Sequence, residues 1–318
     1  MSAERWWGQL KGDPTGFVLS DDEPGALWRF LVEVVGRPYD SPAVARARRA
    51  ARTTGVVAQL LASQSPLGYW GSPAGYAARW GGSAWHVIAL AALGADPEDA
   101  RVARGAETLL ELLAPHEGGF ATARHRPSSA CFTAETCAAM VRLGFAHHPR
   151  VREAVAWLTE ADGGRGGWVC PEPRHLFNGC CPGAAVAALR IVAELPSTER
   201  MPVACLARRA AGWLVGCGLF VSGKSPRGWL KLAHPNLARP DVLEALWGLA
   251  RVDWPAEPPV MAAVLAVLSK QDGHGRWLTE AEAPFGEPLR EPSRWLTLKA
   301  VVVLGRYGER LTAAGERA

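Results

Sequence analysis

A chain of 318 residues with 48% apolar residues can bury a substantial core, which excludes a disordered or low-complexity protein. Its 35 Lys and Arg against 31 Asp and Glu leave a net charge of +4 with the signs interspersed, so no basic stripe argues for nucleic acid. The longest apolar run, near Ala84 to Ala95, is too short to span a bilayer, and the N-terminus has charges where a secretory signal needs an apolar stretch. A cytoplasmic protein is expected. Seven cysteines, an odd number, then read as reduced thiols or metal ligands rather than a disulfide framework.

The first predicted element is an apolar helix over Glu23 to Val35, preceded by Ser20-Asp-Asp-Glu23, which reads as a capping box. A pattern then returns five times: an amphipathic helix, a Gly-aromatic corner, a loop and a nearly uncharged helix. The corner aromatics are Trp70, Phe120, Trp168, Trp229 and Trp277, which lie 50, 48, 61 and 48 residues apart. The amphipathic helices are expected at 42–63, 99–113, 149–160, 198–215 and 258–270, and the apolar ones at 83–93, 133–143, 182–194, 240–250 and 292–304. With the helix at 23–35 there are six apolar helices, enough to close an inner ring.

The predicted fold is therefore all-α, an α/α toroid (α6/α6-type barrel) of five helix-pair repeats plus an N-terminal inner helix. One domain is expected over 1–318, with repeats near 42–94, 99–144, 149–195, 198–252 and 256–308 and an N-terminal extension at 1–36.

Parallel inner helices would bring their N-termini to one rim, where chemistry-bearing residues collect. Cys131, Cys180 and Cys181 precede two of these helices, and Cys170 and His175 lie in the loop after Trp168. Thiolate and imidazole are the donors that zinc takes in tetrahedral array, and positive helix ends favour thiolates. A zinc held by Cys131, Cys170 and Cys180 is expected, with Cys181, His175 and Asp241 competing for the fourth place. His86 and Glu135 are polar residues early in apolar helices, and with Asp241 they are the candidate catalytic acids and bases. Arg124, Arg126, Arg174, Lys231, Arg239 and Arg294 fall in loops at the same end, where a carboxylate or diphosphate would bind.

The corners resemble the QW-type repeat of the prenyltransferase and squalene-cyclase superfamily. Gln64-Ser-Pro-Leu-Gly-Tyr-Trp70 and Gln271-Asp-Gly-His-Gly-Arg-Trp277 carry the full pattern, and the other three corners keep Gly and the aromatic. The resemblance covers residues 55–308 and implies the toroid fold; it sits nearer to bacterial single-toroid members than to the characterised enzymes. The Asp-x-Asp-Asp motif of class II terpene cyclases is absent. Protein prenyltransferase β subunits have an Asp-Gly-Cys-Tyr stretch that corresponds to Asn178-Gly-Cys-Cys181, so Cys180 falls on their zinc-binding Cys, Asp241 on their His, and Arg174 on their diphosphate-binding Lys. The resemblance implies an isoprenoid or other small apolar ligand with an anionic head. Two function classes stay open: a prenyltransferase- or cyclase-like enzyme, and a noncatalytic toroid that docks a protein partner through a metal- or thiol-stabilised face.

Overall fold

The computed structural model describes residues 7–113, 115–161, 166–172, 176–237 and 239–315. In chain order the helices are α1 (Thr15–Val18), α2 (Pro24–Glu33), α3 (Pro42–Ala51), α4 (Gly55–Ala62), α5 (Ser83–Ala92), α6 (Ala100–Leu112), α7 (Ala130–Arg142), α8 (Pro149–Glu160), α9 (Pro182–Glu194), α10 (Ala204–Gly216), α11 (Val242–Arg251), α12 (Pro258–Leu268) and α13 (Arg294–Gly315). Among the described residues, strand is limited to two short antiparallel pairs, β1 (Pro115–His116) with β2 (Gly119–Phe120) and β3 (Trp277–Leu278) with β4 (Pro292–Ser293).

Helix α2 starts one residue late, because Pro24 takes the first helical position and Glu23 becomes the cap. The expected capping box does not form. Ser20 Oγ bonds the Phe17 carbonyl and Asp22 instead. The first amphipathic segment is two helices rather than one, since the Thr53 and Thr54 hydroxyls bond back to the Ala50 carbonyl and close α3.

Two compact units divide the chain, one of Met1–Ala47 with Leu214–Ala318 and one of Arg48–Trp213. In the second unit α7 packs between α5 and α9, while α6 lies on α5 and α8 on α7. Apart from the first turn of α9, where Gly183 is half-buried, both α5 and α9 are buried on nearly every face, as an apolar sequence without polar periodicity requires. In the first unit α13 packs on α2, α11 and α12.

The corners repeat in detail. The indole N–H of Trp70 donates to the Leu60 carbonyl at 2.8 Å, Trp168 to Leu158 at 2.9 Å, Trp229 to Leu219 at 2.7 Å and Trp277 to Val267 at 2.7 Å, each acceptor ten residues upstream. Leu60, Leu158 and Val267 lie in the last turns of α4, α8 and α12, where carbonyls lack intrahelical partners, so the indole caps the helix from the side. Phe120 has no N–H to give. There Arg150 donates to the Leu110 carbonyl, also ten residues before its aromatic, and to Leu113 at 2.7 Å, with its guanidinium 5.9 Å from the Phe120 ring.

The backbone of each corner aromatic is clamped from the following helix. Trp70 N–H donates to Ser83 Oγ at 2.9 Å, Phe120 N–H to Thr133 Oγ1 at 2.8 Å and Trp277 N–H to Thr297 Oγ1 at 3.2 Å. At the third and fourth corners the N–H groups of Cys181 and Val242 donate to the carbonyls of Trp168 and Trp229 at 2.7 and 2.8 Å. Glutamines tie the first and fifth corners to other segments: Gln64 Nε2 donates to the Arg101 carbonyl of α6 at 3.0 Å, and Gln271 accepts from the Lys11 N–H at 2.8 Å and donates to the Gln9 carbonyl at 3.0 Å. A Cβ on Gly105 would meet both Gln64 and the Trp70 ring at 2.8 Å, so only glycine lets α6 approach this corner.

The buried helices also carry ion pairs. In the second unit Glu135 pairs with Arg190 at 3.0 Å and Arg142 with Glu194 at 3.4 Å, both joining α7 to α9. In the first unit Lys299 pairs with Glu244 and lies 3.1 Å from His234 Nδ1, and Arg251 bonds Glu33 at 2.9 Å.

Two stability predictions follow from this packing. Trp168→Phe keeps the ring but removes the indole donor, and should cost about 1–3 kcal/mol in urea denaturation; Arg150→Ala should cost a similar amount through Leu110 and Leu113. Unchanged midpoints in both would disconnect the corner bonds from stability. Glu244→Gln leaves a buried ammonium without its countercharge and should cost about 3–5 kcal/mol, whereas Glu244→Gln with Lys299→Met should recover most of that loss.

Candidate functional site

Three thiols meet in the second unit. The Sγ atoms of Cys131, Cys170 and Cys181 lie within 4.8 Å of one another, with Cys170 and Cys181 buried and Cys131 partly exposed. None of the seven cysteines forms a disulfide.

Two of the three stand where other corners carry a hydroxyl. Cys181 stands thirteen residues after Trp168, the position that Ser83 and Thr133 occupy after Trp70 and Phe120, so a thiol replaces the clamping hydroxyl. Cys170 follows its corner aromatic by two residues, where the other repeats have Ser72, Thr122, Lys231 and Thr279. Helix α7 starts three residues ahead of its clamp Thr133, as α13 does ahead of Thr297, and that extra turn carries Cys131. Local departures from a repeating rule that converge on one point mark a function rather than packing.

The geometry suits a metal. Zinc bound to thiolates at about 2.3 Å in tetrahedral array sets the sulfurs about 3.8 Å apart, so the triad needs a contraction of under about 1 Å. Cys131 is the second residue of α7 and Cys181 the N-cap of α9. Three thiolates around Zn²⁺ carry one net negative charge, and two helix N-termini of about +0.5 each offset it. Without a cation Cys170 and Cys181 stay protonated: the hydrogen bond with Cys131, together with burial, pushes Cys170 up to about 12, and the hydrogen bond with Cys131, followed by that with Cys170 and burial, raises Cys181.

The structure substitutes Cys181 for Cys180 in the expected triad. Cys181 has extended backbone, in which consecutive side chains point to opposite sides. Cys180 turns to the core, where a Cβ on Gly167 would come within 2.8 Å of its Sγ. Adjacent cysteines are equivalent in sequence terms, and only the local strand direction separates them. Arg174 and His175 lie outside the described residues.

The other expected residues are placed as follows. His86 is buried, stacks on Trp70 at 5.1 Å between ring centres and bonds the Gly82 carbonyl through Nδ1 at 3.0 Å; burial lowers its pKa. Glu135 is committed to Arg190. Asp241 caps α11, accepting from the N–H of Glu244 at 2.9 Å and of Ala233 at 3.0 Å and from Asn236 at 2.9 Å, while burial lifts its pKa to about 6. Those bonds occupy the carboxylate that was to compete for the metal.

Among the basic residues, Arg294 is bound to Ser20 at 3.0 Å and Asp22 at 2.5 Å over the Phe17 ring. Lys231 and Arg239 are exposed. Arg124 and Arg126 are exposed on the loop leading to Cys131, and Arg126 reaches within 3.9 Å of Glu172, two residues beyond Cys170. That contact sets the basic loop beside the thiols.

Sequence reasoning missed two further groups. The pair Lys299 and Glu244, with His234, comes together only through tertiary packing. Burial raises Glu23 to about 7 with help from the nearby Glu287, itself raised by burial. Two surface depressions of about 380 and 270 Å³ are lined, respectively, by Trp7, Leu10 and Asp13 and by Asp253, Arg306 and Tyr307.

No protein-family profile matches the chain, and no curated protein matches it. Among solved structures, a polysaccharide lyase superposes over 92% of this chain and 91% of its own at 11% identity, with a TM-score of 0.50. A family 88 glycosyl hydrolase from Bacteroides vulgatus does so over 90% of each chain at 13% identity, also at 0.50. A type II terpene cyclase from Scytonema covers 80% of this chain and 96% of its own at 16% identity, but its TM-score of 0.31 is too low to carry an argument. No helix among the described residues is long and apolar enough to cross a membrane. The likeness to the lyase and the hydrolase, with the helical content, gives the fold as all-α, of the α/α toroid class.

Proposed function

We propose that this protein is a zinc-binding toroid enzyme whose metal is held by Cys131, Cys170 and Cys181. The observation that carries this reading is the approach of three sulfurs to within 4.8 Å without a disulfide. Three protein ligands would leave a fourth position open, the arrangement of a catalytic rather than a structural zinc, and the partial exposure of Cys131 supports access to it. The metal would supply a Lewis acid there. Arg124 and Arg126 are suited to an anionic head group, so the ligand proposed is small and apolar with a carboxylate or diphosphate, an isoprenoid diphosphate being the type. Unbridged cysteines fit a reducing, cytoplasmic setting.

The second reading is a noncatalytic toroid in which the thiol centre is structural and a protein partner docks. Its support is the filling of the helix interior: Ala184 to Leu189 of α9 are each 0% exposed.

Elemental analysis of protein produced with zinc should give about one zinc per chain. Cys131→Ser, Cys170→Ser and Cys181→Ser should each lose it, while Cys180→Ala and Cys205→Ala keep it. Chelation should lower the thermal midpoint of the wild type and leave that of Cys181→Ser unchanged. A metal-free wild type, or full retention by Cys181→Ser, would remove the centre. For the ligand, farnesyl diphosphate at about 100 times its Kd should add about 2.7 kcal/mol of stability, and Arg124→Glu with Arg126→Glu should abolish the gain. Zinc with no response to the amphiphile would favour the structural reading.

A further inference from the structure

Ser129 occupies the N-cap of α7 with extended backbone, φ −114° and ψ 120°, yet its side chain makes no capping hydrogen bond. Serine is among the preferred residues at this position because its hydroxyl accepts from the first free N–H groups of the helix. Here the hydroxyl is turned away from them and lies 3.3 Å from Cys131 Sγ. Its backbone has no freedom to drift, since Ser129 N–H donates to the Phe120 carbonyl at 3.0 Å and its own carbonyl accepts from Thr133 N–H at 2.8 Å. Those are the residues of the second corner clamp, where Thr133 Oγ1 also holds Phe120. The hydroxyl is thus carried on the clamped corner and lies beside the sulfur of the one partly exposed residue of the triad.

We infer that Ser129 is a positioning residue of the thiol centre: its hydroxyl donates to the Cys131 thiolate, fixing that sulfur toward Cys170 and Cys181 and tuning the metal it binds. This rests on the zinc reading above. A thiolate near the surface competes with water for its lone pairs, and a fixed hydroxyl satisfies one of them without displacing the metal. Partners of this kind hold a ligand's orientation and basicity, and their loss weakens metal binding by about ten- to a hundredfold. Cys170 and Cys181 are shielded by burial, so the exposed member of the triad is the one that needs such a partner.

The test uses the full chain with zinc and with cobalt(II), whose thiolate charge-transfer band reports the electron density on sulfur. Ser129→Ala should bind zinc ten- to a hundredfold more weakly in a chelator competition, and at saturating cobalt(II) its charge-transfer band should move to lower energy. Ser129→Thr, which keeps the hydroxyl, should restore both. The band position is read on the loaded protein, so it separates the bond to sulfur from any fraying of α7 that Ser129→Ala causes. Wild-type zinc affinity with an unshifted band in Ser129→Ala, or failure of Ser129→Thr to restore the band, would overturn the role of Ser129 while leaving the zinc centre in place. If the wild type takes up neither metal, the centre itself is overturned and this role with it.

Discussion

The bond from a buried indole to a carbonyl ten residues upstream is the constraint on which the rest of the structure depends. It joins the end of an amphipathic helix to the start of the next corner, and the backbone clamp then joins that corner to the following apolar helix. Each bond satisfies a polar group that burial would otherwise leave without a partner, so the corner can be buried only if it is made correctly. Repetition of this unit ties each of the five corners to the helix that follows it. The substitution at Phe120 tests the rule from within, because Arg150 reaches from the next helix to the same carbonyl that an indole would have capped.

That regularity gives the thiol centre its meaning. A cysteine in a helical protein is most often a small core residue, and Cys137, fully buried in α7 with its pKa raised by burial, fits that description. Cys131, Cys170 and Cys181 differ: Cys170 stands where most other corners carry a hydroxyl and Cys181 where some do, and the Cys131 sulfur lies within 4.8 Å of both of theirs. Burial and mutual hydrogen bonding hold two of them as neutral thiols, and two helix N-termini supply the field that thiolates on a cation would need. The centre is built on rigid ground: Cys181 N–H bonds the Trp168 carbonyl, so the sulfur is set by the corner.

Both units bury paired charges, and the first unit does so in shared sets. Its apolar helices carry charges that are paired: Lys299 is shared between Glu244 and His234, and Glu33 between Arg29 and Arg251. The Trp247 face lies beneath Lys299 and Arg251, and its indole donates to Glu33 at 3.3 Å, so one aromatic serves both pairs. Such groups define which helices meet more than they add stability, since the cost of removing charge from water offsets much of the attraction.

The sequence by itself determined the all-α class, the corner positions and the alternation of half-exposed with buried helices, because each depends on local periodicity and on Gly-aromatic pairs that recur at a fixed interval. It also singled out the second and third corners as the place where cysteines gather. What it could not decide was which of two adjacent cysteines faces the others, since that turns on the direction of one extended residue, and which polar residues on apolar helices were committed to each other. Glu135 looked like an acid or base until α9 brought Arg190 to it, and Asp241 like a ligand until the loop before it supplied two donors and the first turn of α11 a third. Pairing across elements is long-range, and the strength of a buried charge depends on neighbours that only the folded chain brings within reach.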